Sequence, residues 1–161
     1  MNDEVLYLDH AAATPVDAKV LAAMQPYFSD SFYNPSAPYA PAVTVRREYE
    51  AAKQTIARAI GAKGDDLVIT AGATESINLA FSSIGGHVVT ANIEHHAVLA
   101  AAKRYEHIII AADDKGIVSA ATVKASITPA TKLVSIALAN NELGTIQPLR
   151  DIAEVIKNER T

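Results

Sequence analysis

The stretch Leu67–Asn78, LVITAGATESIN, carries residue types that together can hold an anion. Leu67 to Thr70 reads as a short buried strand. Ala71, Gly72 and Ala73 are all small, and Thr74, Glu75 and Ser76 open a helix expected to run to Ser83. The first N–H groups of a helix have no internal partner and lie at its positive end. A strand that passes through small residues into a helix start is therefore suited to phosphate. The hydroxyls of Thr74 and Ser76 add donors. The alternative is an ordinary crossover helix with Thr74 as its N-cap.

Two more positions carry chemistry of a matching kind. His95 opens a helix directly after a strand, either as a ring that stacks on a flat ligand or carries a proton, or as an unliganded first-turn histidine. Asn141 follows an apolar strand in Asn140-Asn141-Glu142, where an amide either ties the turn or donates to a ligand oxygen. His10, His87, His96 and His107 have no comparable setting and are read as structural. The chain has no His-Glu-x-x-His, no Gly-x-Gly-x-x-Gly and no Gly-Lys-Ser/Thr, and its serines lack a nucleophile-elbow context.

The elements that must position these residues follow a regular rhythm. Val5–Leu8 reads as a short strand or arm, Asp9–Pro15 as a small-residue loop, and Pro15 and Asp17 start a helix to about Tyr27, interrupted by Pro26. Ser29–Pro41 is a long polar loop with a turn at Asn34-Pro35. Pro41 opens a helix to Ile60, with Val45, Tyr49, Ala52, Ile56 and Ile60 on one face and Gly61 at its end. From Leu67 onward strands alternate with helices. Strand 67–70 precedes helix 74–83, strand 87–91 precedes helix 95–105, and strand 107–111 leads through a turn at 113–116 to a short helix near 119–127. Strand 132–139 precedes the loop 140–148 and a helix over 149–158. This alternation predicts a mostly parallel sheet covered by helices. Ligands of such sheets bind beyond the carboxyl ends of the strands, where the loops at 71–75, 91–95 and 140–144 converge.

Composition sets the class. The chain has 161 residues, half of them apolar, a net charge of -4 and no cysteine. Nothing favours nucleic acid or an anionic membrane as a partner, and no thiolate site or disulfide is available. No apolar run approaches the ~20 residues of a membrane span. The acidic start MNDEVLYLDH has no basic region before an apolar core, so the expectation is a cytoplasmic protein without a signal peptide.

Five segments in order, YLDHAAATP (7–15), NPSA (34–37), TAGATESINLA (70–80), IEHHAV (93–98) and ANNELGTIQPL (139–149), resemble the N-terminal part of cysteine desulfurases of the NifS/IscS type. These are class V aminotransferase-family enzymes that use pyridoxal phosphate. The resemblance spans essentially the whole chain. It implies an α/β, three-layer, aspartate aminotransferase-like large domain with an incomplete, mostly parallel sheet. An arm and helices would fill 1–62, and sheet-building βα units 63–161. It further implies that the backbone of Ala73 and the backbone and hydroxyl of Thr74 hold the cofactor phosphate. Gly72 would keep that turn tight, His95 would stack on the pyridine ring and assist proton transfer, and Asn141 would bond the phenolic oxygen. Asn34 and the Asp9–Thr14 loop would shape the site mouth or a dimer contact. His10 stands where the family has Asn or Tyr.

In the family, the remaining half supplies an Asp to the pyridine nitrogen, a Ser/Thr-x-His-Lys lysine that bonds the cofactor, an arginine for the substrate carboxylate and a cysteine that takes the sulfur. No lysine here has that context and there is no cysteine. The expectation is therefore an N-terminal fragment of a desulfurase that turns L-cysteine into L-alanine for iron–sulfur or thio-cofactor assembly, inactive by itself. The resemblance also implies that strands 87–91, 107–111 and 132–139 form a compact group. Strand 67–70 would lack its neighbour, and strand 132–139 would have a bare edge calling for a homodimer, a swapped assembly or a complementing second half. A sulfur-acceptor scaffold protein is a further partner of the family. The alternatives are a selenocysteine lyase or another class V enzyme, a non-catalytic split subunit, and an unrelated nucleotide-binding α/β domain.

Overall fold

A computed structural model describes residues 5–159. The chain divides into two compact units, one ending at Ile69 and the other beginning at Thr70.

The first unit is helical. Asp17 caps α1 (Ala18–Met24), its Oδ1 accepting the Lys19 N–H at 2.7 Å, as a short carboxylate side chain does at a helix start. Pro26, which has no N–H to donate, breaks this helix at Gln25 and starts α2 (Pro26–Ser29). The long α3 (Ala40–Ala59) has Pro41 in its first turn and buries Ala42 and Ala57. Tyr27 donates to Glu48 Oε2 at 3.0 Å, tying α2 to α3, and this bond to a carboxylate raises the Tyr27 pKa. The apolar stripe expected to pack is largely open: Tyr49, Ile56 and Ile60 are exposed. The segment Val5–Leu8 is extended without strand pairing. Tyr7 closes the following loop, donating to the carbonyls of Asp9 and Ala13 at 2.8 and 2.9 Å, with its ring edge-on to His10.

The expected strand Leu67–Thr70 does not form. These residues are irregular, and Val68 and Ile69 are 70% and 55% exposed. An apolar run becomes a strand only when a neighbour takes its N–H and C=O groups, and among the described residues no ladder partner reaches this one.

The second unit is a three-layer α/β assembly. Three parallel strands, β1 (His87–Ala91), β2 (His107–Ile110) and β3 (Thr131–Ser135), lie in the order β2-β1-β3. Central β1 pairs Val88 with His107 on one side and with Leu133 on the other. Side chains alternate across a strand, so adjacent valines head two separate cores. Val88 packs with Phe81 of α4 (Ala73–Ile84) and with Val98, Ala101 and Ala102 of α5 (His96–Ala102). Val89 packs with Ile110, Val118, Val123 of α6 (Ala120–Ser126) and Ile152 of α7 (Leu149–Asn158). One helix pair thus covers each sheet face. Thr90 is buried, but its hydroxyl donates to the Ser135 carbonyl at 2.8 Å, so no polar cost is left open.

The compact three-stranded group matches the expectation, with β2 one residue shorter than expected and β3 ending at Ser135 rather than at 139. The reason lies two residues on: the Ala137 N–H goes to the Glu94 carboxylate instead of to a strand. β3 is an edge strand, and a groove of about 500 Å³ runs beside it, lined by Ile84, Leu133, Val134 and Ile156 among others. No helix among the described residues is long and apolar enough to cross a membrane.

Candidate functional site

At the start of α4 the N-cap is Gly72, with no side-chain cap, and Thr74 is the second helical residue. Thr74 is therefore not the N-cap. The Ser76 N–H is bonded to the Gly72 carbonyl at 3.1 Å, so the amides of Ala73, Thr74 and Glu75 precede the first intrahelical bond and face out of the helix end. The turn is braced from behind. Glu75 Oε2 accepts the Ala71 N–H at 2.6 Å, and Thr70 and Ser76 share a hydroxyl bond of 2.7 Å. Asn78 Nδ2 donates to the Thr74 carbonyl at 2.8 Å and is itself held by Arg104. A cleft of about 500 Å³ opens over Ala71–Glu75 and Asn78. Gly72 is in extended backbone that any residue adopts, and a Cβ there would meet open space. The chain's own packing therefore does not require glycine at this position.

His95 is the N-cap of α5, its Nδ1 accepting the Ala97 N–H at 3.2 Å. A nitrogen that accepts carries no proton, so in the neutral ring the proton sits on Nε2. The ring is exposed and lies 3.9 Å from the His96 ring, centroid to centroid, tilted by 37°. His87 and His107 have structural bonds, to Thr131 and to the Tyr105 carbonyl.

The loop after β3 is a narrow turn closed by the antiparallel bridge Ala139–Ile146. Asn140, not Asn141, ties it: Asn140 Oδ1 accepts the N–H groups of Glu142 and Leu143 at 2.9 and 2.8 Å. Asn141 is exposed and free to face a ligand. A second turn supports this loop. Buried Gln147 accepts from the Val118 N–H and donates to the Gly116 carbonyl, both at 2.8 Å. Gly116 has φ of +73°, and a Cβ on it would stand 2.9 Å from Leu143 Cδ1. Only glycine suits that backbone and that approach.

The loops carrying His95 and Asn141 leave the carboxyl ends of two adjacent parallel strands and are bonded to each other. Asn140 Nδ2 donates to the Ile93 carbonyl at 2.6 Å, and Glu94 Oε1 accepts the Ala137 N–H at 2.8 Å. Glu94 is buried, and that burial raises its carboxyl pKa, partly offset by the bond from Ala137. The cleft over α4 is lined by its own turn, and neither His95 nor Asn141 lines it. Asn34 makes an Asx turn with Ser36, and with the Asp9–Thr14 loop it belongs to the first unit. Among the described residues no group of three or more histidines, cysteines or carboxylates could hold a metal.

Sequence reasoning passed over Glu94, Asn140 and Gln147. Each does its work through a bond to distant backbone, which no periodicity or spacing announces. The one signal was position, because Glu94 and Asn140 directly precede His95 and Asn141.

The donor set fits the phosphate end of pyridoxal phosphate. Free helix-start amides and the Thr74 hydroxyl suit a dianion, and the space at Gly72 admits one against the backbone.

Comparison with known proteins shows the family. The aminotransferase class-V family model matches residues 6–161. Cysteine desulfurase IscS of Dictyoglomus turgidum is 37% identical over 98% of this chain and 43% of its own length. Putative cysteine desulfurase IscS 1 of Bacillus subtilis is 38% identical over 98% of this chain and 45% of its own. Among solved structures, SspA in complex with cysteine superposes with a TM-score of 0.91 at 38% identity, covering 96% of this chain and 48% of that one. A NifS-like protein gives a TM-score of 0.88 at 30% identity, covering 95% of this chain and 45% of that one. The chain spans a little under half the length of the curated relatives it matches. With the family model matched from residue 6 to residue 161, the chain belongs to the aminotransferase class-V family.

Proposed function

We propose that this chain is the N-terminal part of the large domain of a pyridoxal-phosphate-dependent cysteine desulfurase. Such an enzyme converts L-cysteine to L-alanine and passes the sulfur to an enzyme cysteine as persulfide. What supports this reading most is the start of α4: open amides at Ala73 and Thr74, a free Thr74 hydroxyl, and room at Gly72 for a group to lie on the backbone. The names of relatives matched along 98% of the chain point the same way.

When bound, pyridoxal phosphate supplies an electron-withdrawing ring that stabilises negative charge at the substrate carbon. The chain's own residues hold and tune it. The Ala73 and Thr74 amides and the Thr74 hydroxyl bind the phosphate. His95 offers a flat ring face and a single proton-bearing atom, Nε2. The Asn141 amide donates to the phenolic oxygen. Forming the covalent attachment and taking up the sulfur fall to residues this chain lacks, because it has no cysteine and no lysine in a Ser/Thr-x-His-Lys context. The chain alone therefore binds the cofactor without turnover.

A cytoplasmic homodimer, or a complex with a complementing polypeptide, that hands sulfur to a scaffold protein for iron–sulfur assembly completes this proposal. The unpaired edge of β3 and the groove beside it are its support. The test is titration of the purified chain with pyridoxal phosphate, followed by assay of alanine and sulfide with cysteine. Saturable cofactor binding without product is expected. Product from this chain alone, or binding of a nucleotide in preference to the cofactor, would overturn the reading.

A further inference from the structure

Two residues of no assigned role, Glu94 and Asn140, immediately precede the two ligand-facing candidates His95 and Asn141, and each reaches into the other's loop. From the His95 side, the Glu94 carboxylate crosses to the Ala137 N–H at 2.8 Å. From the Asn141 side, the Asn140 amide crosses to the Ile93 carbonyl at 2.6 Å. The two bonds join segments 43 and 47 residues apart in the chain; the side chains cross in opposite directions, while both donors lie on the Asn141 side and both acceptors on the His95 side. We propose that Glu94 and Asn140 form a reciprocal clasp that fixes the His95 ring and the Asn141 amide relative to each other, and so act as positioning residues for the flat end of the ligand. The proposal rests on the cofactor reading above.

Each half of the clasp is itself fixed. Asn140 uses every polar group it has. Its Oδ1 takes the Glu142 and Leu143 amides, its own N–H goes to the Thr145 carbonyl at 2.9 Å, and its carbonyl takes the Gly144 N–H at 2.9 Å. Asn141 therefore leaves a turn that cannot rotate without breaking several bonds. Glu94 is 9% exposed and bonds Ala137 where β3 has just ended. That bond takes an N–H that would otherwise extend the strand and turns the chain toward the Asn141 loop. On its far side His95 is pinned by the Ala97 N–H. The ring is thus held before and after, by Glu94 through the backbone and by the first turn of α5. The phosphate turn at α4 takes no part in these bonds, so the clasp separates recognition of the ring from recognition of the phosphate.

The experiment uses the full chain, isotopically labelled, with Glu94→Ala, Glu94→Gln and Asn140→Asp. Glu94→Gln keeps an oxygen for the Ala137 N–H. Asn140→Asp keeps the acceptor for Glu142 and Leu143 and puts a charged acceptor in place of the donor to Ile93. Two ligands are titrated, inorganic phosphate and pyridoxal phosphate. Glu94→Ala and Asn140→Asp should weaken pyridoxal phosphate at least tenfold and leave phosphate within twofold, and Glu94→Gln should restore the wild-type ratio. Without any ligand, the His95 ring and Asn141 side-chain signals in NMR spectra should move toward disordered shifts in the first two variants and stay in place in Glu94→Gln. A wild-type chain that binds both ligands equally defeats the cofactor reading. The clasp then still stands or falls on the ligand-free spectra. Glu94→Ala and Asn140→Asp chains that fold with both signals unmoved overturn the clasp, whatever the cofactor does.

Discussion

The Glu94 carboxylate and the Ala137 amide meet at 2.8 Å between two loops, with the acid 9% exposed. Burial raises its pKa above the usual 4.5, and the Ala137 bond offsets only part of that. A folded-state pKa above the unfolded one means that the native chain holds this proton more tightly. The contribution to stability is then full below about pH 4.5 and is lost as pH rises through the folded pKa, after which it is flat. Urea midpoints measured from pH 4 to pH 8 should show this decline in the wild type. Glu94→Gln should remove it, and an unchanged slope in that variant would contradict the assignment.

Gly72→Ala separates binding from folding. Its backbone is extended and a Cβ meets open space, so the melting curve should shift by no more than about 0.5 kcal/mol. If a phosphate lies on this turn, the added methyl stands where it must sit, and pyridoxal phosphate binding followed by absorbance should fall sharply. Equal binding by both chains would place the anion elsewhere.

Thr74→Val removes one hydroxyl donor to a charged group, a bond worth about 1.5–3 kcal/mol. Affinity for inorganic phosphate should drop about tenfold or more by calorimetry, with the fold intact because Thr74 is not the helix cap.

Gln147 is 3% exposed and joins the Val118 N–H and the Gly116 carbonyl. Gln147→Leu leaves both groups buried and unpaired, at about 1–3 kcal/mol each. Denaturant unfolding should show a loss of about 2–6 kcal/mol. A loss below 1 kcal/mol would mean that water replaces the amide.

Ile152 of α7 is 3% exposed and Val68 is 70% exposed. Ile152→Ala should cost about 2–5 kcal/mol, while Val68→Ala should stay within about 0.5 kcal/mol. A large cost at Val68 would restore the strand that the fold denies.

The contrast between those two residues shows what the sequence disclosed. Ile152 lies on an amphipathic helix, and the 87–91 run forms a strand between two partners, so local pattern and tertiary setting agree there. Val68 and Ile69 have an equally good strand pattern, but a strand is a pairing and the pattern cannot supply the other member. The site divides in the same way. Thr74, His95 and Asn141 are proposed from the sequence because a family motif and a strand-end position mark them. Which of Asn140 and Asn141 ties the turn depends on how a few backbone angles close the loop. That Glu94 spends its charge on a distant amide depends on where β3 stops. Neither fact is encoded within the reach of one segment.

The bond from the Ala97 amide to His95 Nδ1 makes this imidazole single-ended. Any hydrogen it delivers or removes must travel through Nε2, because engaging the other nitrogen would first uncap the helix behind it. A nitrogen-labelled ring should therefore report one tautomer rather than a mixture. The ring then has one outward nitrogen, set by the backbone before any ligand arrives.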